Sequence, residues 1–168
     1  VFGIRKSLAR KVFSEYQGAW RRQERLKTKY TFGRGNVIFS DYAHHPTEIK
    51  ATLAGFREKF PSRKIICVFQ PHQLDRLTRL FDDFIVSFAG ADTVILMAAF
   101  KVAAREKIGP ETKTSIDLAR IVTRIHSGKV FFAGNFAKVI ATLRKIKPRN
   151  SIIIFMGAGD MDSKVRKF

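Results

Sequence analysis

The chain has 168 residues, of which 45% are hydrophobic and 16 are phenylalanine. This length predicts one domain with a sizeable core, and the plentiful aromatic residues exclude an intrinsically disordered chain. The single cysteine, Cys67, excludes a scaffold of intrachain disulfides. The apolar runs are strand-sized and too short to cross a bilayer, and no secretory signal opens the chain. We therefore expect a cytoplasmic protein with no membrane partner.

The charge balance is strongly basic, because 32 Lys and Arg residues outweigh 14 Asp and Glu residues and give a formal net charge of +18. Such an excess first suggests a polyanionic partner. The basic residues are spread along the chain, with one dense cluster formed by Arg144, Lys145, Lys147 and Arg149. No aromatic RNA-binding motif, zinc finger or basic zipper accompanies them. We therefore do not expect nucleic acid to be the main partner, since basicity also suits an enzyme with phosphorylated substrates.

Hydrophobic periodicity predicts a distinct entry segment at the start of the chain. Ile4–Tyr16 has its apolar residues on one helical face and basic residues on the other, which predicts an amphipathic helix. Two strands, Leu26–Phe32 and Asn36–Phe39, are predicted on either side of a turn at 33–35 that contains two glycines. This segment therefore predicts a helix followed by an antiparallel hairpin.

From residue 36 onward, strands and helices alternate. The predicted helices are Pro46–Phe60, Asp75–Phe88, Thr114–Ile125, Phe136–Ile146 and Met161–Phe168. The predicted strands between them are Lys64–Phe69, Asp92–Met97, Val130–Phe132 and Ile152–Met156. These strands are continuous apolar runs, which is typical of a parallel sheet buried on both faces. The sequence therefore predicts an α/β fold with a mostly parallel sheet flanked by helices.

The residues that follow the strands are the candidates for function, because open parallel sheets bind ligands beyond the carboxyl ends of their strands. Three of the 4 histidines come at such positions. The polar residues and turns found there are Asp41, His44, His45, His72, Arg76 and Gly157–Asp160. We therefore expect these residues to meet at one edge of the sheet.

Each of these features also has a structural interpretation. Asp41 and His44 could cap the following helix and satisfy backbone groups. Alternatively, the histidines could bind zinc together with Asp41, although no second cysteine or HxxxH spacing supports a metal site. Arg76 and Arg79 could be solvated on a helix face. The run 157–159 supplies only half of a dinucleotide fingerprint, but it suits a tight turn that lets a ligand approach backbone N–H groups.

The run Asp41–Glu48, with the sequence DYAHHPTE, resembles a signature of the Mur ligases, which are ATP-dependent amino-acid ligases of peptidoglycan synthesis. Its HHPTE form is most similar to the members that add L-alanine to UDP-N-acetylmuramate. Further matches keep the same order along the chain: Tyr16-Gln17-Gly18 with Arg21-Arg22, Phe69–His72 with Arg76, Phe81–Phe84, Ala103–Glu106 and Gly157–Asp160. The resemblance thus covers nearly the whole chain.

This resemblance implies the Rossmann-like C-terminal domain of a three-domain ligase, which closes over ATP and helps to bind the incoming amino acid. Residues 1–17 would be the last helix of the central domain, and residues 18–168 would be the C-terminal domain. The implied reaction activates the carboxylate of UDP-N-acetylmuramate as an acyl phosphate, using ATP with Mg²⁺. The amine of L-alanine then attacks, and ADP and phosphate leave.

The resemblance also implies roles for individual residues. Arg22 would reach the ATP phosphates, and Asp41 would hold the nucleotide ribose or the adjoining polar network. His44 would be the catalytic residue that faces the reacting end of the muramoyl substrate. The substrate side of the site would be formed by His72, Arg76, Gly157, Gly159 and Asp160. No metal ligand is expected among them.

Two departures from the family pattern qualify these expectations. The sequence has no GxxGK[ST] phosphate-binding loop. We therefore expect the chain alone to be catalytically inactive and to hold no cofactor tightly. Its expected partners are the central and N-terminal domains of a longer chain. Gln73 stands where the family usually has arginine after Pro-His. Two alternatives stay open: a ligase that attaches a recycled tripeptide to UDP-N-acetylmuramate, and a non-catalytic basic module that binds nucleic acid.

Overall fold

A computed structural model of the chain describes residues 3–15, 19–100 and 109–167. The elements in chain order are α1 (Lys6–Glu15), β1 (Glu24–Arg25), β2 (Val37–Asp41), α2 (Pro46–Lys59), β3 (Lys64–Phe69), α3 (Leu74–Arg79), α4 (Phe81–Ile85), β4 (Thr93–Leu96), α5 (Ser115–Ile125), β5 (Lys129–Phe132), α6 (Phe136–Ile146), β6 (Ser151–Met156) and α7 (Met161–Arg166). Within these residues, six strands form one sheet in the order β1-β2-β6-β3-β4-β5.

The sheet is parallel except at one edge. β1 pairs antiparallel with β2, and every other neighbouring pair is parallel. β3, β4 and β6 each begin with one polar residue and are apolar from there on, and β6 is fully buried, as a sheet covered on both faces requires. The prediction of a mostly parallel sheet flanked by helices is therefore confirmed.

Helices cover the two faces of the sheet through separate cores. Residues of α2, α3, α4 and α5, including Phe56, Leu77 and Phe84, pack on one face. Residues of α6 and α7, including Leu143 and Val165, pack on the other. The loops after β2 and β3 therefore lead to one face, whereas the loop after β6, which lies between them, leads to the opposite face. In open parallel sheets, ligands bind where neighbouring loops diverge in this way beyond the carboxyl ends of the strands.

The predicted strand Leu26–Phe32 is wrong. The antiparallel pairing with β2 comes from Glu24–Arg25 instead. Leu26 and Phe32 are buried, but the hydroxyls of Thr28 and Thr31 donate to backbone carbonyls two residues ahead, at 3.0 Å in both cases. Such local bonds compete with the hydrogen bonds of a sheet, so the segment between Leu26 and Phe32 forms an irregular loop.

The predicted helix Asp75–Phe88 is also wrong as a single element. It is divided at Leu80, which has φ −111° and ψ 25°, and its second part ends at Ile85. Neither glycine nor proline marks the break, and apolar side chains from both parts enter the same core. The predicted ends at Tyr16 and Phe168 lie outside the described residues. No helix within the described ranges is long and apolar enough to cross a membrane.

Candidate functional site

Three neighbouring strands end level with one another and set the edge of the candidate site. Asp41 of β2 pairs in register with Met156 of β6, which pairs in register with Phe69 of β3. Beyond this line the backbone continues to connect the loops: Gly157 donates its N–H to the carbonyl of Asp41 at 3.1 Å, and Gln70 donates to that of Met156 at 3.0 Å. The loops that carry the predicted site residues are thereby held side by side.

The structure brings His44 and His72 together at this edge, with their ring centroids 6.3 Å apart. The His44 ring also lies edge-on to Tyr42 at 5.2 Å. The ring of His72 stacks on Phe100 at 5.5 Å. Phe100 belongs to the loop after β4, and its backbone bonds Pro71 and Gln73. The edge thus gathers aromatic and imidazole rings from three strand exits.

Glu48 organises the residues around His44. One of its carboxylate oxygens accepts the backbone N–H groups of His44, at 2.9 Å, and His45, at 3.2 Å, and lies 3.2 Å from Nδ1 of His44. The other oxygen lies 3.6 Å from the Arg22 guanidinium. Burial alone would raise the pKa of Glu48, but these N–H groups and the electrostatic effect of the neighbouring His44 and Arg22 side chains hold it below its ordinary value. Glu48 is therefore a charged group that fixes both His44 and Arg22.

His45 caps helix α2, so the structural interpretation of His44 as the cap is wrong. Nδ1 of His45 accepts the N–H of Thr47 at 3.3 Å, and Glu48 returns a bond to the backbone of His45, which completes a capping box. Pro46 occupies the first helical position, where its missing N–H costs nothing. The capping of α2 leaves the His44 ring at the edge of the site.

Asp41 is buried and is held by bonds from within the protein. Its Oδ1 accepts the N–H of Ala43 at 2.8 Å and the hydroxyl of Thr52 at 3.3 Å, and its Oδ2 accepts the N–H of Gln23 at 2.8 Å. These bonds fasten the exit of β2 to α2 and to the segment that carries Arg22. Asp41 therefore satisfies backbone groups, as one structural interpretation predicted, but it does not cap α2. Its contact with a ribose stays a prediction.

Arg21 and Arg22 are adjacent but have different environments. Arg21 is only 7% exposed; its guanidinium donates to the carbonyl of Gly157 and, at 3.4 Å, to that of Gly159. It also lies over the Tyr42 ring at 4.7 Å. The Arg22 side chain is about half exposed. Sequence reasoning singled out Arg22 and missed the structural role of Arg21, because nothing in an Arg-Arg pair distinguishes the two.

The turn after β6 requires its two glycines. Gly157 has φ +149°, and a Cβ there would lie 2.8 Å from the carbonyl oxygen of Gln70. A Cβ on Gly159 would lie 2.7 Å from Oε1 of Gln70 and 2.9 Å from the Phe100 ring. Real Cβ atoms do not come this close to other atoms, so only glycine permits the close approach. Gln70, the first residue after β3, was not among the predicted site residues.

Some buried polar atoms in the loops and helix around this edge have no hydrogen-bond partner among the described residues. They include Oε1 of Gln70, Nη1 of Arg76 and Oδ1 of Asp160. The other oxygen of Asp160 accepts from Lys164 at 2.6 Å. Buried polar atoms are normally paired. These atoms are therefore candidates for contact with a polar ligand.

The zinc interpretation gains no support from these positions. Asp41 already accepts three internal bonds. Within the ranges that the structure describes, no three His, Cys, Asp or Glu side chains are arranged to hold a metal ion. The motifs Tyr16-Gln17-Gly18 and Ala103–Glu106 fall outside the described residues, so their contribution to the site is not assigned.

Comparison with known proteins matches residues 21–159 to the family model described as Mur ligase, glutamate ligase domain. The chain belongs to the Mur ligase family. A relative from Levilactobacillus brevis, named UDP-N-acetylmuramate–L-alanine ligase, is 39% identical over 132 residues, which is 79% of this chain and 27% of that protein. A relative of the same name from Desulfosudis oleivorans is 34% identical over 139 residues, or 83% of this chain and 30% of that protein.

A solved structure supports the same family fold. UDP-N-acetylmuramate-alanine ligase from Thermotoga maritima superposes with a TM-score of 0.70 at 21% sequence identity, covering 94% of this chain and 31% of that one. The similarity confirms the expected Mur ligase C-terminal fold. The chain spans roughly a third or less of the length of each of these proteins.

Proposed function

We propose that the chain is the C-terminal domain of an ATP-dependent ligase that joins L-alanine to UDP-N-acetylmuramate. In this proposal the muramate carboxylate is activated as an acyl phosphate, the amine of L-alanine attacks it, and ADP and phosphate are released. The observation that carries the proposal is the convergence of His44, His72 and Arg22 at one edge of the sheet, in a chain whose curated relatives bear that enzyme's name.

The nucleotide side of the proposed site centres on Arg22. Its half-exposed guanidinium is 3.6 Å from Glu48 and 5.6 Å from the Tyr42 ring. These two contacts orient the guanidinium and leave part of it open to solvent. A cation held in this way can contact the phosphates of ATP without a large desolvation cost. Asp41 would act on the nucleotide indirectly, through its hydrogen bonds with Gln23, Ala43 and Thr52. His44, held through Nδ1, would face the reacting carboxylate, where preorganised donors stabilise developing negative charge.

The amino-acid side would use the buried polar atoms that lack partners. Nη1 of Arg76 can donate to the carboxylate of L-alanine, and Oδ1 of Asp160 can accept from its ammonium group. His72, stacked on Phe100, would border this pocket. Gly157 and Gly159 would form its floor, because the turn after β6 packs closely against Gln70.

Helix α1 supports a domain boundary near residue 17. Ile4, just before the helix, and Leu8 and Val12 within it are 65%, 53% and 57% exposed, respectively. An apolar helix face left in water is typical of a surface that another domain covers. Residues 1–17 would therefore belong to the central domain, and residues 18–168 would form the C-terminal domain. The central and N-terminal domains of the longer chain would be its partners.

Mg²⁺ would accompany ATP in the full-length enzyme, where it would neutralise phosphate charge. We do not assign it to this chain, since no suitable group of three ligands occurs among the residues described. The chain alone would be inactive and would hold no cofactor tightly. A cytoplasmic location belongs to the proposal, because the reaction consumes ATP. The curated relatives reported above are all named as L-alanine ligases, so a tripeptide-recycling ligase is not favoured.

An assay of the full-length protein tests this function. Purified protein would be supplied with UDP-N-acetylmuramate, ATP and Mg²⁺, and either L-alanine or the recycled tripeptide. We expect one ADP for each UDP-N-acetylmuramoyl-L-alanine, identified by mass spectrometry, and little product with the tripeptide. Preferential use of the tripeptide, or no ADP with any amino acid, would overturn the proposal. The isolated chain is the matched control and should form no product.

A further inference from the structure

The amino-terminal edge of the sheet, opposite the candidate site, carries a basic groove that the proposed ligase reaction does not use. A groove of about 700 Å³ is lined by residues 29–34 and 147–149. A second groove, of about 620 Å³, shares residues 147–149 and continues past Lys64 and Lys129 at the starts of β3 and β5. We call the two together the basic groove. They lie side by side along the edge, because residues 147–149 line both of them.

Positive charge in the basic groove is largely uncompensated. Lys29, Arg34, Lys147 and Arg149 are exposed and take part in none of the ion pairs found among the described residues. The carboxylate in its lining, Asp92, is already bonded by Arg57 at 2.6 Å and by the N–H of Ile65 at 2.7 Å. Carboxylates elsewhere pair with Arg22, Arg79, Arg120, Lys164 and Arg166. The groove therefore carries an excess of unpaired positive charge.

The walls of the groove are rigidly joined. Buried Asn36 donates to the carbonyls of Thr31 and Pro148, both at 2.9 Å, and accepts the N–H of Ser151 at 3.0 Å. Asn150 donates its N–H to the carbonyl of Arg34 at 3.0 Å. A Cβ on Gly33 would lie only 2.2 Å from the Pro148 oxygen. The cations are thus mounted on two loops held at a fixed separation, which reduces the entropy lost on binding.

Part of this charge has a structural explanation. Arg144 and Lys145 lie in the last turn of α6, where cations stabilise the negative end of the helix dipole. Lys29, Arg34 and Arg149 lie on no helix, so this explanation does not extend to them. Exposed Tyr30 lines the same groove, with its ring 5.8 Å from the Arg144 guanidinium. An aromatic face beside a track of cations is typical of surfaces that bind single-stranded nucleic acid.

We propose that the basic groove binds single-stranded nucleic acid through its phosphates, with a base stacked on Tyr30. The groove is concave and no exposed aliphatic side chain lines it, which distinguishes it from a surface that inserts into lipid. The sequence analysis did not predict nucleic acid as the main partner, because the basic residues are spread along the chain. The fold brings several of them together at this edge. The binding is independent of the proposed ligase activity.

The test measures binding of the 168-residue chain to a fluorescein-labelled oligo(dT) of about 12 nucleotides by anisotropy, from about 50 to about 200 mM salt. The groove variant combines Lys29→Gln, Arg34→Gln and Arg149→Gln. The control variant combines Lys11→Gln, Lys50→Gln and Lys138→Gln, which are exposed lysines away from the groove. We expect at least a tenfold loss of affinity for the groove variant and a salt slope smaller by about 2, since each contact contributes about 0.7.

The control variant should lose less than about threefold, because long-range charge is screened by salt. Tyr30→Leu should weaken oligo(dT) binding about fivefold or more but leave binding of inorganic polyphosphate unchanged. Equal losses in the two triple variants, an unaffected Tyr30→Leu, or binding to phosphatidylglycerol vesicles in place of oligo(dT) would overturn the proposal. Thermal melting checks folding; if the triple variant is unfolded, the single Arg149→Gln variant carries the same prediction with a slope change of about 0.7.

Discussion

The rings of His44 and His72 lie 6.3 Å apart, centroid to centroid, in an edge-to-face arrangement. They follow β2 and β3, which are not neighbours in the sheet, because β6 lies between them. The two loops can meet over β6 because its own exit turns toward the opposite face through a glycine turn that packs closely against Gln70. The meeting of the two histidines thus depends on the topology of the sheet and on the glycines after β6.

Gly159→Ala tests this packing. The new Cβ would lie 2.7 Å from Gln70 and 2.9 Å from Phe100, so we expect a loss of about 1–3 kcal/mol in the free energy of unfolding, as overpacking typically costs. Urea denaturation of the 168-residue chain measures it. Gly109→Ala is the control, since a Cβ there meets nothing within 4 Å, and it should change stability by less than about 0.5 kcal/mol. Equal losses of stability in Gly159→Ala and Gly109→Ala would contradict the close packing of Gly159 against Gln70 and Phe100.

Glu48→Gln tests the organising role of Glu48. The pKa of Glu48 is lowered in the folded protein, so its contribution to stability is present above its ordinary pKa, which is 4.5, and is lost as the pH falls through the folded value. We therefore expect the variant to be less stable than the wild type at pH 7, with the difference narrowing below about pH 4.5. Denaturation midpoints across this pH range provide the measurement.

Glu58→Gln provides the control for this experiment, because it removes the same charge from an exposed position on the same helix. It should alter stability at pH 7 by less than about 0.5 kcal/mol. A difference between wild type and Glu48→Gln that stays constant as the pH falls would show that Glu48 does not act through its charge.

Arg76→Lys tests the amino-acid side of the proposed site. Nη1 of Arg76 is buried without a partner among the described residues, and lysine cannot reproduce the fork of a guanidinium. In the full-length ligase we expect the apparent KM for L-alanine to rise at least about tenfold, as loss of a hydrogen bond to a charged group implies. The KM for ATP should change little. Adding Gln73→Arg to the Arg76→Lys variant should bring the KM for L-alanine partly back to the wild-type value.

Arg79→Lys is the matched control on the same helix, where the arginine is exposed and pairs with Asp75 at 3.0 Å. Exposed pairs contribute little, so the kinetics should stay at wild-type values. An unchanged KM for L-alanine in Arg76→Lys would make Arg76 a structural residue.

The isolated chain should fold cooperatively yet bind ATP only weakly. The described residues form a six-stranded sheet with a core on each face, whereas no phosphate-binding loop occurs in the sequence. Calorimetry should give a dissociation constant well above micromolar, and no phosphate should be released from ATP. Submicromolar binding, or turnover of ATP by the chain alone, would contradict the assignment of the main nucleotide contacts to other domains.

The sequence predicted the buried parts of the fold best. Lys64–Phe69 is a strand with the predicted bounds, because a continuous apolar run bounded by turn residues leaves few alternatives. Thr114 caps α5 where that helix was expected to begin. By contrast, the loop after Leu26 depends on hydroxyl-to-backbone bonds, and the break at Leu80 has no residue signal. Local competition of this kind is not visible in hydrophobic periodicity.

The candidate site could be predicted as a set of loops but not as a set of contacts. The rule that ligands bind beyond strand ends brought His44 and His72 to the same edge. It could not show that Arg21 would be buried against Gly157 while Arg22 stays exposed. Nor could it show that His45, not His44, caps α2. These differences depend on which way adjacent side chains turn, which a parallel-sheet pattern does not specify.

His44→Ala in the full-length ligase, compared with His126→Ala, tests whether catalysis takes place at the edge of the sheet where His44 and His72 meet. His126 bonds the carbonyl of Phe88 at 3.1 Å and the N–H of Gly128 at 3.0 Å, so its loss should lower Tm and leave kcat of the folded enzyme nearly normal. His44→Ala should lower kcat by about 10²–10³, as loss of one transition-state contact typically does, with a smaller change in Tm. A nearly normal kcat with a large loss of Tm in His44→Ala would show that this edge of the sheet is not the catalytic crevice.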